Sequence, residues 1–240
     1  MSHAVEHAHD PHLQHHFATR KQQAEAGKLG MWLFLATEIL LFSGLFCAYA
    51  VYRANHPEVF IYAHRFLDST LGGINTLVLI FSSFTMAWAV RAAQIGAQKA
   101  LQVLLALTLA CGFGFLGIKY VEYHHKWKEG LLWGKRYAPQ SQAHVPTGQE
   151  GAATHGRETA HDVPVVPKNV HLFFGIYFAM TGLHGLHVVA GMVVLGWLLL
   201  RARRGEFGSH YFTPVDLGGL YWHLVDLVWI FLFPLLYLIH

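Results

Sequence analysis

Apolar residues fall along this chain in five long runs separated by polar segments. The first run is Leu29 to Tyr52, broken by one charge at Glu38. The second is about Ser69 to Val90, and the third about Ala100 to Ile118. The fourth is about Val170 to Leu200, and the fifth about Gly219 to His240, broken by Asp226. Residues 69–90, 100–118 and 169–200 contain no Asp, Glu, Lys or Arg. A membrane-crossing helix needs about 20 mainly apolar residues. Helices satisfy their backbone hydrogen bonds internally, where lipid offers no partner. The pattern therefore predicts an all-α, polytopic membrane bundle of five transmembrane helices. The fourth run exceeds what a span requires, which predicts a tilted helix or an interfacial start. Past Ile118 the pattern turns amphipathic through Lys119–Lys128, extending the third helix beyond the membrane.

The polar segments divide the chain. Residues 1–28 read as a His-rich polar tail, partly helical near the membrane, and residues 29–240 as the five-helix domain. A polar insertion at about 129–168 separates spans three and four; from 135 onward it is rich in Gly, Pro, Gln, Thr and His and reads as a solvent loop. Six of the nineteen histidines lie in the tail, and the spacing His12, His15, His16 suits a metal ion on a helix face or an incidental flexible tract. The tail lacks the apolar core of a secretory signal.

Composition sharpens the picture. Only 13% of residues are charged against 54% hydrophobic, where soluble domains carry about 25% charged residues. Disorder, a disulfide scaffold and nucleic-acid binding are excluded. Cys47 and Cys111 both lie in apolar runs and read as small packing hydrophobes. With the N-terminus inside, the inner segments carry Arg20, Lys21, Lys28, Arg91, Lys99, Arg201, Arg203 and Arg204. The first outer loop carries Arg53 and Arg65. The long third loop adds Lys119, Lys126, Lys128, Lys135, Arg136, Arg157 and Lys168 and evens the count. Long loops follow the positive-inside rule poorly, so the expected topology is N-terminus cytoplasmic and C-terminus outside.

Ionisable groups at membrane depth are costly and mark candidate sites. Glu38 lies nine residues into the first run, about 14 Å along a helix. It reads as a proton-linked site, a lipid head-group anchor or a neutral carboxyl bonded to a neighbouring helix. In Thr181-Gly182-Leu183-His184-Gly185-Leu186-His187, the two histidines share a helix face. They suit a metal ion or interhelical hydrogen bonds, while a bis-histidine haem needs ligands from opposite sides. Gly182, Gly185 and Gly191 predict close helix contact. His223 and Asp226, three apart, predict a charge-assisted pair, either a proton relay or a helix-docking device. Asn75, Thr76, Ser82 and Ser83 read as interhelical polar contacts. Glu122 and Lys126 form an i,i+4 pair, and Arg201 ends the fourth run where it can snorkel to a phosphate. No phosphate loop, Cys-x-x-Cys or nucleophile elbow is present, so no catalytic residue is assigned.

Several of these segments resemble a known family. Gly30-Met31-Trp32-Leu33-Phe34-Leu35-Ala36-Thr37-Glu38, Asn75-Thr76, Glu122-Tyr123, Thr181 through Val188, and Tyr221-Trp222-His223-Leu224-Val225-Asp226-Leu227-Val228-Trp229 are similar to motifs of subunit III of the haem–copper terminal oxidases, the cytochrome c and quinol oxidases. The length resembles the short five-helix bacterial form, without the first two helices of the seven-helix form. His210-Tyr211-Phe212-Thr213-Pro214-Val215-Asp216 departs from the His-rich version of that stretch. The resemblance implies a non-catalytic accessory subunit of an oxidoreductase complex in an aerobic respiratory chain. It implies no cofactor in this chain, haem and copper in partner subunits, and structural phospholipid. It implies direct packing on subunit I, with subunit II and smaller subunits in the complex, in a bacterial plasma membrane. Glu38 and Arg201 would occupy lipid-binding positions, with His184, His187, His223 and Asp226 in the interior polar set. A haem-binding membrane electron carrier, a proton-coupled transporter using Glu38, and the related accessory subunit of a nitric oxide reductase are the other readings.

Overall fold

The computed structural model describes residues 14–63, 67–128 and 170–239, with the side chains of 126–128 excepted. The described residues form six helices: α1 Arg20–Asn55, α2 Pro57–Ala63, α3 Ser69–Gln94, α4 Gln98–Lys128, α5 Val170–Arg203 and α6 Thr213–Tyr237. Among the described residues, five of these are long and apolar enough to cross a membrane, all but α2. Local chemistry sets several ends. Thr19 caps α1 by accepting from the Gln22 backbone N–H at 3.1 Å, and Asp68 caps α3 by accepting from Thr70 and Leu71. Each side chain satisfies donors that the first helical turn leaves open. Gly96 turns the chain from α3 into α4 at φ +73°, a conformation that favours glycine.

α3 packs along α4 and α6, and α5 lies against α4 and α6. The interior among these four helices holds the fully buried indoles of Trp222 and Trp229, with Phe115, Phe173 and Phe174. Small residues let the backbones approach. A Cβ at Gly191 would lie 2.8 Å from the Trp222 ring, one at Gly72 2.8 Å from Phe233, and one at Gly218 2.6 Å from Leu198. α1 stands apart, touching α6, α2 and α5. Its buried residues are Leu35, Phe42 and Tyr49, a single line with heptad spacing.

α1 begins at Arg20, nine residues before the first apolar run, in keeping with a tail that is partly helical near the membrane. Elsewhere the structure differs from the sequence expectation. α2 occupies what reads as a plain loop, because Val59, Phe60 and Ala63 form an apolar face buried in the core. Lys119, counted above with the outer loop, lies inside α4 and is 7% exposed. Of the three glycines expected to make close contact, Gly191 does so within this chain, while Gly182 and Gly185 have open space where a Cβ would be. Residues 129–169, which contain the whole of the expected insertion, lie outside the described residues, as do His12 and the Lys126 side chain needed for the Glu122–Lys126 pair.

Candidate functional site: a cleft beside α1 and the polar groups behind it

The N-terminal half of α1, α5 and the start of α6 enclose a cleft of about 1070 Å³. Arg20, Lys21, Lys28 and His210 line its mouth, and Phe34, Val194, Trp197, Leu217 and Tyr221 line its walls. Among the described residues, no Asp or Glu lines it. The cations follow from α1 running helically past the membrane end of its apolar run. Lys28 also reaches Asp216 on α6 at 3.2 Å, an exposed tie between the two walls.

Glu38 lies beside the deep end. Its Oε2 is 2.7 Å from His187 Nε2 on α5, with both side chains about 15% exposed. His187 Nδ1 is 2.8 Å from the Leu183 carbonyl oxygen. A carbonyl only accepts, so Nδ1 carries a proton and donates. One further proton then sits between Nε2 and Oε2, as carboxyl–imidazole or as imidazolium–carboxylate. Either way the pair is neutral overall, which limits its cost at membrane depth. The Tyr221 hydroxyl donates to the His187 carbonyl at 3.2 Å, and its ring lies 5.9 Å from that of Phe34. This links the pair to the cleft wall. This is the bond to a neighbouring helix named among the sequence readings of Glu38.

Arg201 is held at the cleft's rim. Its Nε donates to Glu206 Oε2 at 2.5 Å. Its guanidinium stacks over Trp197, Phe207 and Tyr211 at 4.8, 5.3 and 5.7 Å. Trp197 and Tyr211 are themselves cleft residues. Glu206 was not singled out in the sequence; a carboxylate five residues beyond Arg201, across the turn at Gly205 (φ +72°), is the signal that could have found it.

The remaining candidates separate. His184 does not join His187: it is fully buried, edge-on to Phe115 at 5.4 Å and tilted on Trp229 at 5.2 Å. His223 and Asp226 do not pair either. His223 Nδ1 meets Ser83 on α3 at 2.7 Å, while neither Asp226 oxygen has a hydrogen-bond partner among the described residues. Three-residue spacing permits such a pair, but His223 faces α3. Asn75 also has no hydrogen-bond partner among the described residues, whereas Thr76 accepts from Trp229 Nε1 at 3.0 Å and Ser82 from Trp222 Nε1 at 2.8 Å. Among the described residues, no group of three or more His, Cys, Asp or Glu side chains is placed to hold a metal ion.

A further cluster escaped the sequence reading. Lys119 Nζ donates to Glu122 Oε2 at 2.8 Å and to the Tyr237 hydroxyl at 2.6 Å. Tyr237 and Tyr177 donate to Glu122 Oε1 at 2.6 and 2.8 Å. The ammonium also lies 4.4 Å from the Trp229 ring centroid. This ties α4, α5 and α6 together at the end of the bundle opposite the cleft. The sequence places Lys119 and Glu122 on one helix side but gives no sign of the tyrosines 55 and 115 residues beyond Glu122.

Comparison with known proteins adds a second line. Residues 169–240 match the family model for cytochrome c oxidase subunit III. Cytochrome c oxidase subunit 3 of Synechocystis sp. is 31% identical, covering 88% of this chain and 74% of that protein. Quinol oxidase subunit 3 of Bacillus subtilis is 29% identical, covering 92% of each. Cytochrome bo(3) ubiquinol oxidase subunit 3 of Pseudomonas putida is 28% identical, covering 88% of this chain and 84% of that protein.

Proposed function

Since this chain belongs to the cytochrome c oxidase subunit III family, a multi-pass membrane component of haem–copper oxidases, we propose that it holds phospholipid for its complex and sustains activity during turnover. In this reading the chain carries no redox cofactor. Haem and copper reside in the partner subunits, and this chain packs on subunit I. The observation that carries the reading is the cleft, with cations at the mouth and aromatic and aliphatic walls within. A phosphate at Arg20, Lys21 and Lys28 leaves the acyl chains to run along Phe34, Leu217 and Tyr221. Glu206 already neutralises Arg201, so Arg201 acts as a positioning residue that fixes Trp197 and Tyr211. The Glu38 proton faces His187, so Glu38 and His187 brace α1 at the cleft's deep end rather than donate to an ester oxygen.

The mouth of the cleft, the α3–α4 turn and the α5–α6 turn fall at one end of the bundle. That end collects Arg20, Lys21, Lys28, Arg91, Lys99, Arg203 and Arg204, which supports a cytoplasmic N-terminus in a bacterial plasma membrane. Transfer of Lys119 to the buried interior removes one cation from the opposing count.

The test is native mass spectrometry of bound lipid beside oxygen-consumption time courses on the purified complex. A charge-assisted hydrogen bond contributes about 1.5–3 kcal/mol, so Lys28→Ala is expected to lower phospholipid occupancy roughly 10- to 150-fold. Active lifetime should shorten while the initial rate holds. Asp216→Asn breaks the same tie between α1 and α6 but keeps the lysine, so it should retain lipid. Unchanged lipid in Lys28→Ala overturns this site. An immediate loss of initial rate with lipid retained points instead to proton delivery.

A further inference from the structure

Three polar side chains lie deep in the bundle with no hydrogen-bond partner among the described residues: Asn75 on α3, His184 on α5 and Asp226 on α6. Their exposures are 0%, 0% and 2%, so neither lipid nor another subunit reaches them. All three gather around one indole. Trp229 donates to Thr76, the residue after Asn75. His184 stacks on Trp229 at 5.2 Å, and Asp226 lies one turn before Trp229 on the same helix. Asn75 and Asp226 lie on facing helices. The antiparallel α3 and α6 meet at Thr76–Trp229 and again at Ser83–His223, so Asp226 falls between the two contacts, about one turn from Asn75.

The neighbouring protein groups are already engaged. Thr76 donates to the Gly72 carbonyl, and Trp222 donates to Ser82. Thr85 and Thr108 bond each other at 2.8 Å. Ser83 lies near enough to interact with the Asp226 carboxyl, yet its hydroxyl is 2.7 Å from His223. Phe115 and Trp229 flank His184 with ring faces and edges. A buried carboxyl, imidazole and amide are each costly without hydrogen bonds, and buried water commonly supplies them, with two to four bonds per molecule. Groups of both kinds converge here: the Asn75 amide donates and accepts, the carboxyl accepts, and the imidazole does one at each nitrogen.

We propose that the α3–α4–α5–α6 interior is a water-binding site, with one water bridging Asn75 and Asp226 and another bonded to His184, on either side of Trp229. Water is the one ligand small enough to reach side chains sealed by four helices and able to donate and accept in turn. The site is separate from the cleft, which lies on the far side of Tyr221 toward α1. It stands whether or not the cleft holds phospholipid.

The experiment is an electron cryomicroscopy map of the intact complex at a resolution that shows ordered water, paired with infrared spectroscopy in H2O and D2O. The expected map has solvent density about 2.6–3.2 Å from an Asp226 oxygen and from a His184 nitrogen. The carboxyl band assigned to Asp226, as the band missing in Asp226→Asn, should shift in D2O without unfolding. Asp226 bonded directly to Ser83 or Asn75, an unshifted band in D2O, or a dry interior in the map each overturns the proposal. The wild-type map decides the question even where Asp226→Asn fails to assemble.

Discussion

Replacing Lys119 by Met removes the cation from a carboxyl that cannot reach water. Glu122 and Lys119 are 6% and 9% exposed in their side chains. In the variant, Glu122 keeps its two tyrosine donors but loses the ammonium at 2.8 Å, and Tyr237 loses a donor at 2.6 Å. Breaking a buried pair by deleting one partner costs about 3–5 kcal/mol, because the remaining charge is left uncompensated. That is roughly 140- to 3,700-fold in the folded-to-unfolded ratio at 1.4 kcal/mol per decade. The double variant Lys119→Met, Glu122→Gln removes the stranded charge while keeping a carbonyl to accept from Tyr177 and Tyr237. It should recover most of the loss. The assay is subunit retention in the purified complex over a denaturant series, scored for wild type, both single variants and the double. A Lys119→Met variant within about 0.5 kcal/mol of wild type, the scatter expected of innocuous surface changes, would refute the assignment of a coupled buried cluster. So would a double variant as unstable as the sum of the singles.

Two further outcomes follow from geometry. Gly191→Ala places a Cβ 2.8–2.9 Å from the Trp222 ring; overpacking of this kind costs about 1–3 kcal/mol, whereas Gly185→Ala, with open space, should leave the isolated subunit's unfolding midpoint unchanged. Comparable midpoints for the two would mean that the α5–α6 approach is looser than described. Glu38→Gln can still donate to His187 and should be mild, while Glu38→Leu strands a His187 nitrogen at a cost of about 1–3 kcal/mol; equal detergent stability of the two variants would show that the bond at 2.7 Å contributes nothing.

Which features were legible in the sequence depends on how local their causes are. Spans are local: apolar length sets each one, and α3 through α6 cover the expected runs. The helical end of the tail was legible in outline, but its onset at Arg20 was not, because the polar first turns are stabilised by a cap at Thr19 rather than by hydropathy. Pairings were legible only as permissions. Spacing allowed His184 with His187 and His223 with Asp226, but the side facing each neighbour sent His187 to Glu38 and His223 to Ser83. The Lys119 cluster was invisible because its partners come from α5 and α6. A lysine also reads as an outward residue until a carboxylate and two hydroxyls are found around it. Glycines signalled tight approach, yet only contact with a bulky opposite residue, as at Gly191, separates a packed glycine from an outward one.

The narrow seam of α1 has a consequence for biogenesis. Leu35, Phe42 and Tyr49 dock onto α2, α5 and α6, and the Tyr49 hydroxyl donates to the Leu235 carbonyl near the chain's far end. α1 ends at Asn55 and α5 begins at Val170. At about 5–20 residues per second of synthesis, the first helix waits roughly 6–23 s before any of α5 exists to receive it. Meanwhile α3 and α4 are complete and can pair with each other. The helix made first therefore completes its packing only once α5 and α6 exist, and in a newborn chain Glu38 is made well before its partner His187.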